Sequence, residues 1–171
     1  MHNTDRPSEL PSLYEAALFK KGKEVKKIIT EFKEKEELCK ALTQKYSPLG
    51  LTPAHAAMLN KNHPALKEIL ETAKENNLLK DIILSERTEF TEDGEEKISL
   101  IRDAINPENA NGLKIIAEVL QNAEKNLATQ ILFAKQSEKY KHTIAHDCRS
   151  ASKHCKKSND RAKCQRRTRK S

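Results

Sequence analysis

Tryptophan is absent from this 171-residue chain, and only four Phe and three Tyr are present, so the core it builds has to be aliphatic. Strand-favouring aromatics are scarce while the good helix formers Lys, Glu, Leu and Ala abound, which weighs against an all-β fold. Four Gly and six Pro are too few for a low-complexity chain. No basic opening leads into an apolar stretch, and nowhere is there the run of about 18 apolar residues that a membrane helix needs. Cysteine is sparse and uneven: Cys39 stands alone while Cys148, Cys155 and Cys164 crowd the C-terminus, unlike the even framework of a small disulfide scaffold. A reducing compartment follows, so the expected location is cytoplasmic, or exported without a cleaved signal peptide. Glycine-rich phosphate loops, His-Glu-x-x-His and Gly-x-Ser-x-Gly are all missing, and the chain is expected to be no enzyme and to need no cofactor.

What is present divides into two parts. Residues 149–171 hold ten Lys or Arg and one Asp, a net of +9, whereas residues 1–148 hold twenty-two bases and twenty-four acids, a net of −2. A near-neutral body over 10–149 followed by a basic tail over 150–171 is the organisation this predicts. The tail lacks the apolar residues of a packed helix and is expected to be disordered. The body has 36% apolar and 33% charged residues in the chain to draw on, enough for a core if the apolar positions are grouped.

They are grouped by repetition. Ser12 is followed by Leu-Tyr-Glu-Ala-Ala, Thr52 by Pro-Ala-His-Ala-Ala, Ser99 by Leu-Ile-Arg-Asp-Ala and Thr143 by Ile-Ala-His-Asp-Cys. Each phrase opens on a hydroxyl residue that can N-cap a helix, and Pro53 fits the first helical position. The small residues Ala16, Ala17, Ala56, Ala57 and Ala104 allow these short helices to approach closely. Five residues past the last Ala of the first three phrases stand Gly22, Asn62 and Asn109, residue types that tolerate a left-handed turn. A second helix follows in each unit, its stripe formed by Val25, Ile28, Ile29 and Phe32, by Leu66, Ile69 and Leu70, and by Ile115, Ile116, Val119 and Leu120.

Thr52-Pro53-Ala54-His55-Ala56-Ala57, with Asn62-His63 before the second helix, resembles the ankyrin repeat and its Thr-Pro-Leu-His-x-Ala signature. Ankyrin repeats run to about 33 residues, whereas the caps here stand 40, 47 and 44 residues apart. The resemblance implies an all-α, ankyrin-like solenoid of helix-turn-helix units, three to four in number, with short hairpin fingers between them. It also implies a structural role for His55, and for His146 at the corresponding place of the last phrase.

The surplus length falls in two places. Residues 33–42 either continue the outer helix or begin an extra turn, with Leu38, Cys39 and Leu42 on the apolar side, and Leu49-Gly50 closes the connection. Residues 86–97 centre on Asp93-Gly94, a two-residue hairpin signal. This finger carries six acids and two bases, and Glu89, Phe90, Glu92, Asp93, Glu95 and Glu96 are its candidate partner contacts.

The C-terminal His and Cys residues invite a metal reading. His142, His146, Cys148, His154, Cys155 and Cys164 are six zinc-type ligands within 23 residues, but no Cys-x-x-Cys pair is among them and no finger spacing is met. A cysteine hydrolase built on Cys148 or Cys155 would need a base and an oxyanion cradle for which the sequence gives no sign. The expectation is therefore no resident metal. The expected function is a monomeric protein-binding module whose partner is an unidentified protein, and the Lys, Asn, Ile and Glu bias would suit a bacterial protein acting on host factors. The alternative is a nucleic-acid or anionic-surface binder working through Arg161, Lys163, Arg166, Arg167, Arg169 and Lys170, a run that also resembles a nuclear import signal. No aromatic residue accompanies that run for base stacking.

Overall fold

The computed structural model describes residues 12–19, 22–92, 94–123 and 125–132. The Thr143 phrase, the six His and Cys zinc candidates and the basic run from Arg161 to Lys170 lie outside the described residues, as does Asp93.

Among the described residues, Ser12, Thr52 and Ser99 each begin a helix. Ser12 Oγ accepts from Glu15 N at 3.2 Å while Glu15 Oε2 accepts from Ser12 N at 3.0 Å, so the two ends of the first turn satisfy each other. Thr52 Oγ1 accepts from His55 N, and Ser99 Oγ from Arg102 N, each at 3.4 Å. The helices so started are α1 (Leu13–Phe19), α4 (Pro53–Leu59) and α7 (Leu100–Ile105), each followed by a longer helix: α2 (Gly22–Glu31), α5 (His63–Glu75) and α8 (Ala110–Gln121). A third helix closes each unit, namely α3 (Lys35–Thr43), α6 (Leu79–Leu84) and α9 (Lys125–Leu132).

The third helix accounts for much of the surplus length. Residues 33–42 do not prolong α2: the chain turns extended at Glu34, with φ −105° and ψ 131°, and restarts as α3 with Leu42 buried and Leu38 and Cys39 half-buried. Equivalent helices pack side by side, α1 on α4 and α4 on α7, α2 on α5 and α5 on α8, α3 on α6 and α6 on α9. Lys80 Nζ donates to Gln130 Oε1 at 3.1 Å across the last of these joins.

One cluster fills the space between the rows. Ala16, Ala17, Ala56, Ala57 and Ala104 are fully buried, and so are Val25, Leu66, Ile69, Leu70, Ile83 and Leu100. Burying each Leu or Ile favours folding by about 1.5–3 kcal/mol. Of the expected stripe residues, Phe32, Ile115 and Leu120 sit half-buried at its margin.

A two-stranded antiparallel hairpin, β1 (Glu86–Thr91) and β2 (Gly94–Ser99), joins α6 to α7. Thr91 pairs with Gly94, so the connection is residues 92 and 93, one position earlier than a turn centred on Asp93-Gly94. Gly94 instead opens β2 at φ +113°, a conformation that favours glycine. The connection between α3 and α4 is a smaller version of the same device: Tyr46 and Leu51 form an isolated bridge around Gly50 at φ +65°.

Gly22, Asn62 and Asn109 do not serve the left-handed turns expected of them. Lys61, at φ 56°, makes the reversal after α4, with Lys61 N donating to Met58 O at 3.1 Å and Asn62 N to Ala57 O at 2.8 Å. Asn77, at φ 61°, repeats that pattern after α5. Asn62 caps α5 by accepting from Ala65 N and donates Nδ2 to Ala17 O at 2.8 Å, tying the second unit to the first. Asn109 donates Nδ2 to Asp103 O at 2.9 Å. Gly22 is required by close approach, since a Cβ there would stand 2.8 Å from Pro64 Cβ and 3.0 Å from Pro64 backbone.

That contact generates a graded expectation. Gly22→Ala meets backbone that cannot yield and should cost roughly 1–3 kcal/mol in chemical denaturation. Gly112→Ala meets the end of the flexible Met58 thioether, with Leu66 Cδ2 at an ordinary 3.7 Å, and should cost less. Equal losses would mean that the α2–α5 join is looser than described.

Candidate functional site

The hairpin is the most distinctive surface feature, and its chemistry starts at its base. Arg87 would be an apolar residue if β1 merely alternated, yet it is buried with its side chain 10% exposed. Its Nε donates to Asp103 Oδ2 and its Nη2 to Asp103 Oδ1, both at 2.8 Å, a bidentate geometry that fixes both planar groups. Asp103, 7% exposed, stands in α7 at the slot that Ala16 and Ala56 fill in the other units. The hydrogen bonds that Arg87 donates to Asp103 raise its pKa further, and Glu89 Oε2 adds attraction at 3.5 Å.

The neighbouring residue holds the other strand. Arg102 pairs with Glu96 of β2, so consecutive α7 residues of opposite charge each grip one strand. Thr88 N donates to Leu49 O at 2.7 Å and Leu100 N to Ser85 O at 3.1 Å, which seat the hairpin against the preceding connection and against its own root. Lys97 Nζ donates to Thr88 Oγ1 at 2.5 Å across the pair. The base is buried at Arg87, Thr88, Ile98 and Ser99, while the far end is open to solvent.

At that end Phe90 is 62% exposed. Glu92 and Glu95 are exposed and Glu89 half-buried, whereas Glu96 is drawn down to Arg102. Five of the six candidate contacts thus have described positions; Phe90, Glu89, Glu92 and Glu95 share the outer part of the hairpin and Glu96 belongs to its anchorage. Arg87 and Asp103 went unnoticed in the sequence, although one signal was available: an aspartate in a slot where two other units place alanine.

His55 lies under the same joint. It is fully buried, its Nδ1 lies 2.9 Å from Thr52 Oγ1, and its Nε2 makes no hydrogen bond. Burial pushes its pKa down to about 4, with Asp103 and the Ser85 backbone opposing the shift and Arg87 and Lys45 adding to it. A neutral ring that completes the α4 cap is a structural element, and its hydrogen-bonding neighbour is the buried Thr52 that caps the same helix.

Among the described residues no three His, Cys, Asp or Glu side chains are grouped so as to hold a metal ion, and no helix is long and apolar enough to cross a membrane.

Two expectations follow. Asp103→Ala strands the Arg87 guanidinium and should destabilise by about 3–5 kcal/mol, whereas replacing both partners together by Arg87→Met and Asp103→Leu should recover most of that. For His55, the unfolded chain takes up a proton below pH 6.5 and the folded chain only near pH 4. Stability is therefore complete at neutral pH and falls by about 3 kcal/mol as pH drops through that window. His55→Gln should flatten this acid limb in denaturant melts; an unchanged limb would assign it to other groups. Comparisons of the chain with family models, with curated proteins and with solved structures found no match.

Proposed function

We propose that the chain is a divergent ankyrin-like repeat protein that binds another protein through the outer part of the β1–β2 finger. Helix α4 is buried from Pro53 to Met58 and α7 has no exposed residue, so these two helices leave that role to the finger. The observation that carries this reading is the pairing of equivalent helices from unit to unit, with a hairpin held at its base and open at its tip. Supporting it are the Thr52–His55 cap, placed where the repeat signature has its Thr and His, and the Asn62 bond to Ala17 O. A rigid stalk reduces the ordering cost of binding, and Phe90 supplies an apolar anchor among carboxylates. The partner surface that fits such a tip is apolar at its centre and basic around it. The tail is assigned a secondary role on this reading, and a host-factor partner belongs to the same proposal.

A pull-down tests it with three forms of the full chain: the natural sequence, Phe90→Ser with Glu95→Lys, and Arg166→Gln with Arg167→Gln and Arg169→Gln. The expected result is a discrete protein that survives nuclease and high salt, retained by the tail variant and lost at least tenfold by the finger variant. Recovery of nucleic acid alone, abolished by the tail variant and by salt, would sink the module reading in favour of a phosphate-binding tail.

A further inference from the structure

The opposite end of the first-row helices carries a second exposed feature. Phe19 is the last residue of α1 and is 78% exposed; Leu59 is the last residue of α4 and is 40% exposed. Because α1 packs on α4 and Asn62 reaches Ala17 O, these two helix ends stand side by side. A cleft of about 740 Å3 beside the α1 end is lined by Phe19, Gly22, Lys23, Asn60, Pro64 and Glu68 among others, while Leu59 and Lys61 lie outside its lining. Phe19 projects from this edge; it is not enclosed by it.

Two lysines flank the apolar tips, with Glu24 beside Lys23 in the first turn of α2. Lys23 and Lys61 are exposed, and neither has an ion-pair partner among the described residues. Two carboxylates of α2 and α5 are otherwise engaged: Glu68 pairs with Lys26 at 3.6 Å, and Glu24 has an interaction of its own. Lys61 occupies the left-handed position that glycine would take with less strain, so its side chain is kept at a conformational cost. Lys23 sits in the first turn of α2, where a helix dipole disfavours a cation, and α5 beside it has no acidic residue in its first turn. By sequence alone, the two residues that join Phe19 to Gly22 are also lysines.

Local stability would choose neither an exposed Phe at a helix end nor lysines at these backbone positions. Both suit a surface that receives an inserted apolar group and offers anions around it. We propose that this edge, made of Phe19, Lys23, Leu59 and Lys61, docks on an anionic lipid bilayer, with Phe19 entering the boundary between headgroups and acyl chains. An aromatic tip flanked by cations matches that boundary, where rings lie at headgroup depth and lysines meet lipid phosphates and carboxylates. A protein pocket could also receive Phe19, and that case is an outcome of the test below. The proposal stands independently of the finger and of the repeat reading.

The absence of Trp from the chain provides the probe. Phe19→Trp places a single reporter at the edge, and Phe90→Trp places the control on the finger. Full-length variants, each checked for unchanged circular dichroism, are mixed with phosphatidylcholine vesicles with and without phosphatidylserine. The expected result is a blue-shifted emission and quenching by spin-labelled lipid for Phe19→Trp with phosphatidylserine vesicles only, and no shift for Phe90→Trp. In sedimentation, Phe19→Ser should weaken the vesicle partition about tenfold. Lys23→Glu and Lys61→Glu should each weaken it about fivefold or more.

Vesicle binding without a shift at position 19 would assign the binding to the basic tail and overturn the proposal. So would equal shifts at positions 19 and 90, which mean general adsorption, or a shift on neutral vesicles alone. If Phe19→Ser abolishes capture of a protein partner and leaves vesicle partition unchanged, the edge is a protein-docking site and the lipid proposal falls.

Discussion

A helix of six or seven residues cannot sustain itself in water, because nucleation fixes several residues for a single hydrogen bond and so short a helix has few more to gain. Helices α1, α4 and α7 are all of this kind. They exist because each is pressed against its counterpart in the next unit, and the alanines at their interfaces set how near they come. Everything else follows from that need. The hydroxyl caps satisfy amide donors that so short a helix cannot satisfy itself, the Asn62 side chain completes a carbonyl of the preceding unit, and Gly22 removes the one side-chain atom that would hold α2 away from α5.

The parts of this arrangement that could be read from the sequence are those in which a residue type has one local task. Ser12, Thr52 and Ser99 start helices because a short hydroxyl side chain reaches the amide three residues on, and that requirement is the same in any tertiary setting. The apolar stripes of the second helices were legible for the same reason, since their period is a property of the helix itself. Asp93-Gly94 marked the hairpin, though the turn lies one residue earlier and the glycine serves the strand instead of the loop.

What was not legible depends on partners distant in sequence. Residues 33–42 show the same apolar positions whether they prolong α2 or form α3, and only packing against α4, α5 and α6 separates the two. The left-handed reversal fell to Lys61, not Asn62, because Asn62 is needed one residue later as a cap and as a link to Ala17. Arg87 and Asp103 lie sixteen residues apart and become a pair only once the hairpin folds back on α7. Read singly, each is an ordinary charged residue. Phe90 and the glutamates around it were visible as a polar hairpin, but which of them face solvent was decided by Arg102 pulling Glu96 down to the base.

The two grips on the hairpin differ in polarity, and this has a consequence for orientation that stability alone does not capture. Acid in α7 meets base in β1, and base in α7 meets acid in β2. A hairpin turned over, so that its strands exchanged places on the helix, would bring Arg87 toward Arg102 and Glu96 toward Asp103, two like-charge encounters at a half-buried seam. The seam therefore works as a keyed socket: it accepts the hairpin one way up, and it determines which side of the finger the rest of the molecule presents to the world.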